Sequence, residues 1–136
     1  MVIMQVQQGQ KPADEFGKCI EFLLEAVEGS YQPFIIADAA GIIKGCNGAF
    51  ARLVGYAKEE LVSKRVEDLT PPEWRRQESG IIAGQVRSGM PAIYRKEYVR
   101  KDGTRVPVEV FDRVAFDKDG RPMYFYAFIT DLSEKR

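Results

Sequence analysis

The 136 residues contain no histidine, only two cysteines, and no excess of either charge, with 20 Lys+Arg against 20 Asp+Glu. Without histidine there can be no Ser-His-Asp or Cys-His machinery, histidine-ligated haem, histidine-containing zinc site or phosphoacceptor histidine within this stretch. Cys19 and Cys46 are too far apart for a C-x-x-C motif and too few for a disulfide framework, which leaves two reduced thiols. The even charge balance gives no general attraction to nucleic-acid phosphates or anionic membranes, so neither is expected as a partner. No apolar run approaches the roughly 18 residues that would cross a bilayer. The opening MVIMQVQQGQ lacks the basic-then-apolar order of a secretory signal, so a cytoplasmic location is expected.

Against these absences, 45% of the residues are hydrophobic, enough to fill the core of one domain. The first organised segment is helical. Phe16, Cys19, Ile20, Leu23 and Val27 recur at helix spacing, Phe22 and Ala26 widen the apolar arc to about 200°, and Gly29 ends the segment. A helix packing on one surface needs an arc only somewhat over 100° wide. The surplus predicts two contacts, one with its own domain and one with a second copy of the chain. The expected organisation is an N-terminal segment over 1–29 carrying this dimerisation helix, then a domain over 30–136.

From Pro33 the periodicity shortens. Two short strands over 33–37 and 42–46 flank a turn at Asp38–Gly41, and Asn47 stands where a helix cap is needed. Short helical pieces follow near 58–61 and 66–69. Thr70-Pro-Pro-Glu73 then reads as the cap of a longer helix that ends before Gly89. The last third is strand-like over 93–101, 104–116 and 123–129, with turns at Asp102-Gly103 and Asp117–Gly120. The order predicts an α+β domain with one antiparallel sheet, helices on one face and the N-terminal helix flanking it. That helix is also the expected cover for the sheet's second apolar face, which carries Phe111, Ala115, Tyr124, Tyr126 and Phe128.

The core-facing positions are the candidate site. Ile35 and Ile43 come from the first strands, Phe50, Leu53 and Leu61 from the short helices. Trp74, Glu78, Ile81 and Ile82 come from the long helix, Val108, Val110, Phe125 and Ala127 from the last strands. Such a set either fills a core or lines an apolar pocket. Glu78 and Gln85 fall on the same helix side as Trp74 and Ile82, and polar groups there need partners: protein, water or ligand. Solvent or Arg75 is one outlet for Glu78. Asp112 interrupts an apolar parity, which predicts a bulge or bend. Arg95, Lys96, Arg100 and Lys101 read as a solvated strand. Nothing pairs two carboxylates in one cleft, so a small enzyme using Asp38 or Asp112 as base is only the rival reading. An interaction module with a filled core is another.

Three blocks carry a family resemblance. The first is Phe34-Ile-Ile-Ala-Asp38, then Gly41-Ile-Ile, Asn47, Phe50, Leu53 and Gly55-Tyr56. The second runs from Tyr98 through Asp102-Gly103-Thr104 to Val108. The third leads from Asp119-Gly120 to Thr130-Asp131-Leu132-Ser133-Glu134-Lys135-Arg136. In this order they resemble PAS domains, the sensory modules of bacterial signalling proteins, over about residues 30–136. The resemblance implies a five-stranded antiparallel sheet, a ligand pocket between sheet and helices, and a C-terminal output domain, often a histidine kinase. It also implies a dimerising role for the N-terminal helix, a cap at Asn47 over the pocket, and a tie from Asp131 to an outgoing helix. The haem branch's histidine is absent, and so is the photoreceptor branch's cysteine-bearing Asn-Cys-Arg-Phe-Leu-Gln-like stretch. The resemblance therefore names no cofactor and speaks against histidine-ligated haem and a cysteinyl-adduct flavin.

Overall fold

Five antiparallel strands form one sheet, and their order places the first strand beside the last. The computed structural model describes residues 12–133, with side chains from residue 17 onward. The elements are α1 (Pro12–Val27), β1 (Phe34–Asp38), β2 (Ile43–Cys46), α2 (Gly48–Val54), α3 (Lys58–Leu61), a 3-10 turn (Val66–Leu69), α4 (Pro72–Ser88), β3 (Ala92–Val99), β4 (Arg105–Phe116) and β5 (Pro122–Asp131). The sheet order is β2-β1-β5-β4-β3, so the last strand lies between the first strand and the β3–β4 hairpin. Each expected element is present, within two residues of its expected ends where those were assigned.

Strand alternation separates two apolar faces. The inner face carries Ile35, Tyr98, Val106, Val108, Val110, Ala127 and Ile129, buried against Phe50, Val54, Leu61 and Leu69 of the helical pieces. On the outer face the register aligns Phe34, Phe128, Phe111 and Ile93 across four strands. Phe34 is fully buried there and its ring stacks at a tilt on Phe128 at 5.1 Å. Exposure rises across the row to 36% at Phe111 and 66% at Ile93.

Helix α1 covers only the near half of that face, which corrects the expectation that it shields Phe111. Leu24 of α1 packs over Gly45 of β2, where an added Cβ would meet its Cδ1 and displace the leucine tip. Glu28 at the end of α1 pairs with Lys58 at 2.8 Å. β4 and β3 lie farther along the sheet, beyond these contacts.

Asn47 joins the pieces. Its Oδ1 accepts from the N–H groups of Phe50 (3.0 Å) and Phe34 (2.9 Å), capping α2 and holding the start of β1. Its Nδ2 donates to the carbonyls of Val27 and Gln32, both at 2.9 Å. A side-chain amide has two donors and two acceptor sites, so this fully buried residue is saturated. One side chain thus fastens the end of α1 to the sheet and to the first core helix.

Candidate functional site

The inner face is not filled along its whole length. A cavity of about 230 Å³ lies between the sheet, the 3-10 turn and α4. Its apolar wall is Ile35, Ala37, Ile82, Val110, Phe125 and Ala127, and its polar wall is Arg65, Arg75, Glu78, Tyr94 and Asp112. An engineered cavity of about 150 Å³ is known to hold benzene, so this one has room for a single substituted ring.

Of the residues expected to line a pocket, Ile35, Glu78, Ile82, Val110, Phe125 and Ala127 border this cavity. Ile43, Phe50, Leu61 and Val108 do not. They are fully buried in the adjoining core, with Leu53 packed on it, because α2 and α3 sit over the other end of the sheet. Trp74 also turns away, its indole N–H donating to Glu97 at 3.1 Å, and Ile81 does not reach the cavity. Asn47 does cap α2, but α2 roofs the filled core and not the cavity. Asp131 accepts from the Ser133 N–H (2.9 Å) and hydroxyl (2.6 Å), which turns the chain after β5. In α1, Phe16 lies outside the described side chains. Cys19, Phe22 and Ala26 form an exposed stripe, whereas Ile20, Leu23 and Val27 are half-buried.

Behind the cavity's polar wall lies an ion pair that the sequence reading did not foresee. Lys96 shares its side of β3 with Tyr94 and Tyr98, so its ammonium enters the core and is not solvated. Its three N–H donors are matched by Thr70 Oγ1 at 2.9 Å and the two Glu78 oxygens at 2.9 and 2.8 Å. The Tyr98 ring lies 4.4 Å from the Nζ. Glu78 accepts a further bond from the Tyr94 hydroxyl at 2.6 Å. Neither solvent nor Arg75 is therefore its outlet. Arg75 instead donates to the Thr70 carbonyl at 2.9 Å. Thr70 is no helix cap: its hydroxyl donates to Val66 O at 3.1 Å while receiving Lys96. Burial pulls the Lys96 pKa down, and Glu78 opposes that shift. The alternation of β3 was the available signal that Lys96 faces inward with Tyr94 and Tyr98.

Asp112 lies in regular register with Ala92 and Ala127, not at a bulge; the irregularity falls between Ala115 and Phe116. Burial pushes its carboxyl up to about 7, against a downward pull from the Gln85 amide, while Glu78 adds to the rise and Lys96 opposes it. Asp38 is a turn residue whose Oδ1 accepts from Ala40 at 2.9 Å and Ile42 at 3.0 Å. Burial raises the Cys46 thiol to about 11, and Cys46 does not border the cavity.

Comparison with known proteins places these features in context. A family model described as PAS domain matches residues 32–134. Sensor histidine kinase TmoS of Ectopseudomonas mendocina is 29% identical over 111 residues, covering 80% of this chain and 11% of that protein. The C4-dicarboxylate transport sensor protein DctS of Rhodobacter capsulatus is 30% identical over 105 residues, covering 73% of this chain and 15% of that protein. The chain thus spans a small part of the curated relatives it matches. Among solved structures, the PAS domain of a Colwellia psychrerythraea protein superposes with a TM-score of 0.76 at 16% identity, covering 86% of this chain and 99% of that one.

Proposed function

The chain belongs to the PAS domain family, and from that premise we propose that it is a cytoplasmic, dimeric sensory domain that binds a small apolar or aromatic ligand and relays its occupancy to a C-terminal output domain. In this reading the domain runs over 30–136 and residues 1–29 supply the dimerisation segment. The similarity to sensor kinases favours a histidine kinase as the output. The domain itself is a sensing part and not a catalyst. The observation that carries the ligand reading is the cavity, apolar on the sheet side and polar on the α4 side.

Relay requires that a ligand favour one of two arrangements, and tenfold discrimination is worth about 1.4 kcal/mol. β5 borders the cavity through Phe125 and Ala127 and also carries Asp131 at its exit. β1 borders it through Ile35 and is tied through Asn47 to α1. A shift at the cavity therefore has a short path to both ends of the domain. A ligand specific to the folded state raises stability by roughly 2.7 kcal/mol at a hundred times its dissociation constant. Thermal unfolding of the chain with a panel of single-ring aromatics is expected to give a rising midpoint with at least one of them. A flat response across the panel contradicts the ligand reading and favours the filled interaction module.

Dimerisation rests on the exposed stripe of α1, where Phe22 is 73% exposed. Because Phe22 touches little of its own domain, Phe22→Glu is expected to convert a sedimenting dimer to a folded monomer. A monomeric parent, or a variant that remains dimeric, contradicts this role.

A further inference from the structure

The charged groups bordering the cavity are not equally answered by the protein. Glu78 receives the Lys96 ammonium and the Tyr94 hydroxyl. Burial pushes the Asp112 carboxyl up to about 7, towards its neutral form, and the Gln85 side chain and the Arg113 N–H both donate to it. The two arginines stand differently. Arg65 gives one Nη1 hydrogen to the Ala40 carbonyl at 2.9 Å, and Arg75 gives its Nε hydrogen to the Thr70 carbonyl at 2.9 Å. A guanidinium carries five N–H donors, so each keeps four without a protein acceptor among the described residues. Neither belongs to any of the described ion pairs. Glu67 also borders the cavity and is likewise outside those pairs. All three side chains are exposed, so they form the solvent rim of the cavity, and two arginines with one glutamate leave it a single net positive charge.

We propose that the ligand is a single-ring aromatic monocarboxylate, its carboxylate received by the free guanidinium donors of Arg65 and Arg75 and its ring lodged against Ile82, Val110 and Phe125. This deepens the ligand reading given above and rests on it. The dimensions agree, since the cavity holds one substituted ring. The chemistry agrees as well. A guanidinium fork meets a carboxylate with two parallel N–H···O bonds, and its planar shape loses little freedom in making them. The backbone bond of each arginine already fixes one edge of the fork. One net positive charge at the rim matches one carboxylate better than a phosphate monoester, which carries nearly two negative charges.

Three probes of nearly one shape separate the possibilities: 4-methylbenzoate, which is negative; 4-methylbenzamide, which is neutral; and 4-methylbenzamidine, which is positive. Affinities are measured by calorimetry on the intact chain at about pH 6, where the benzoate is ionised. The carboxylate is expected to bind about tenfold more tightly than the amide, the equivalent of about 1.4 kcal/mol, and the amidine more weakly than either. In the double variant Arg65→Met/Arg75→Met that preference is expected to vanish while the amide still binds. Equal affinity of carboxylate and amide for the parent chain, or a reversed order, overturns the carboxylate assignment and leaves the ligand reading standing. A carboxylate preference that survives in the double variant does the same to the role of the arginines. Failure of all three to bind the parent chain overturns both. The parent comparison needs no variant and so stands even where the double variant fails to fold.

Discussion

Glu78→Leu is expected to destabilise the domain by about 3–5 kcal/mol, because it leaves the Lys96 ammonium buried without its counter-charge. The Lys96 side chain is 1% exposed and that of Glu78 12% exposed, so water cannot take over the lost bonds without opening the packing of α4 on β3. The change also takes the acceptor from the part-buried Tyr94 hydroxyl. Lys96→Met alone should cost a similar amount for the mirror-image reason. The double variant Lys96→Met/Glu78→Leu is expected to recover most of the loss, since an apolar pair of similar volume often matches or exceeds a buried ion pair. Urea unfolding of the four proteins measures this cycle directly. A loss below about 1 kcal/mol for Glu78→Leu would mean the ammonium finds solvent, as exposed pairs do. The seven described ion pairs differ greatly in this respect: all but Lys96–Glu78 have both partners more than a quarter exposed, and none of those should matter as much.

The second large effect is a pH dependence centred on Asp112. Its carboxyl titrates at about 7 in the fold against 3.8 ordinarily, because burial favours the neutral form. The folded state therefore holds this proton more tightly than the unfolded state. The stabilisation is fully present below about pH 4 and is lost as pH rises through about 7. At about 1.4 kcal/mol per unit, the full loss is roughly 4–5 kcal/mol. Asp112→Asn removes the titration, so the difference in stability between variant and parent is expected to grow in the variant's favour from pH 4 to pH 8. Urea midpoints at those two pH values check it, and a pH-independent difference would contradict it. Glu60, Glu73, Asp102 and Asp117 are held below their ordinary range by surface partners, and the comparison with the parent cancels their contribution.

Much of this was readable from residue order. The turns at Asp38–Gly41, Asp102-Gly103 and Asp117–Gly120, with the glycines at 55 and 89, mark the ends of elements closely because turn geometry is local. The inner face followed from period-two alternation in the last strands. What order did not convey is where along that face the helices press closely and where they stand off. Phe50 and Val110 are equally apolar, yet α2 fills its end of the sheet and α4 spans a gap at the other. Lys96 was misread because it was grouped with Arg95 by adjacency, when adjacent strand residues face opposite ways. The pairing of Lys96 with Glu78 depends on how α4 crosses β3, a tertiary fact with no local signature. Likewise the length of α1 was legible, but not that Leu24 would pack over Gly45 on the β2 side of the sheet.

The central claim is that the space between α4 and the sheet is a binding site and not a packing defect. Methyl-resolved NMR of the chain during titration with p-cresol tests it most directly, because Ile35, Ile82 and Val110 border the cavity while Ile43, Leu61 and Val108 lie in the filled core next to it. The expected result is saturable shifts at the first three, with smaller changes at the second three. Shifts absent across the titration, or centred on the exposed residues Val62 and Ile93, would contradict it.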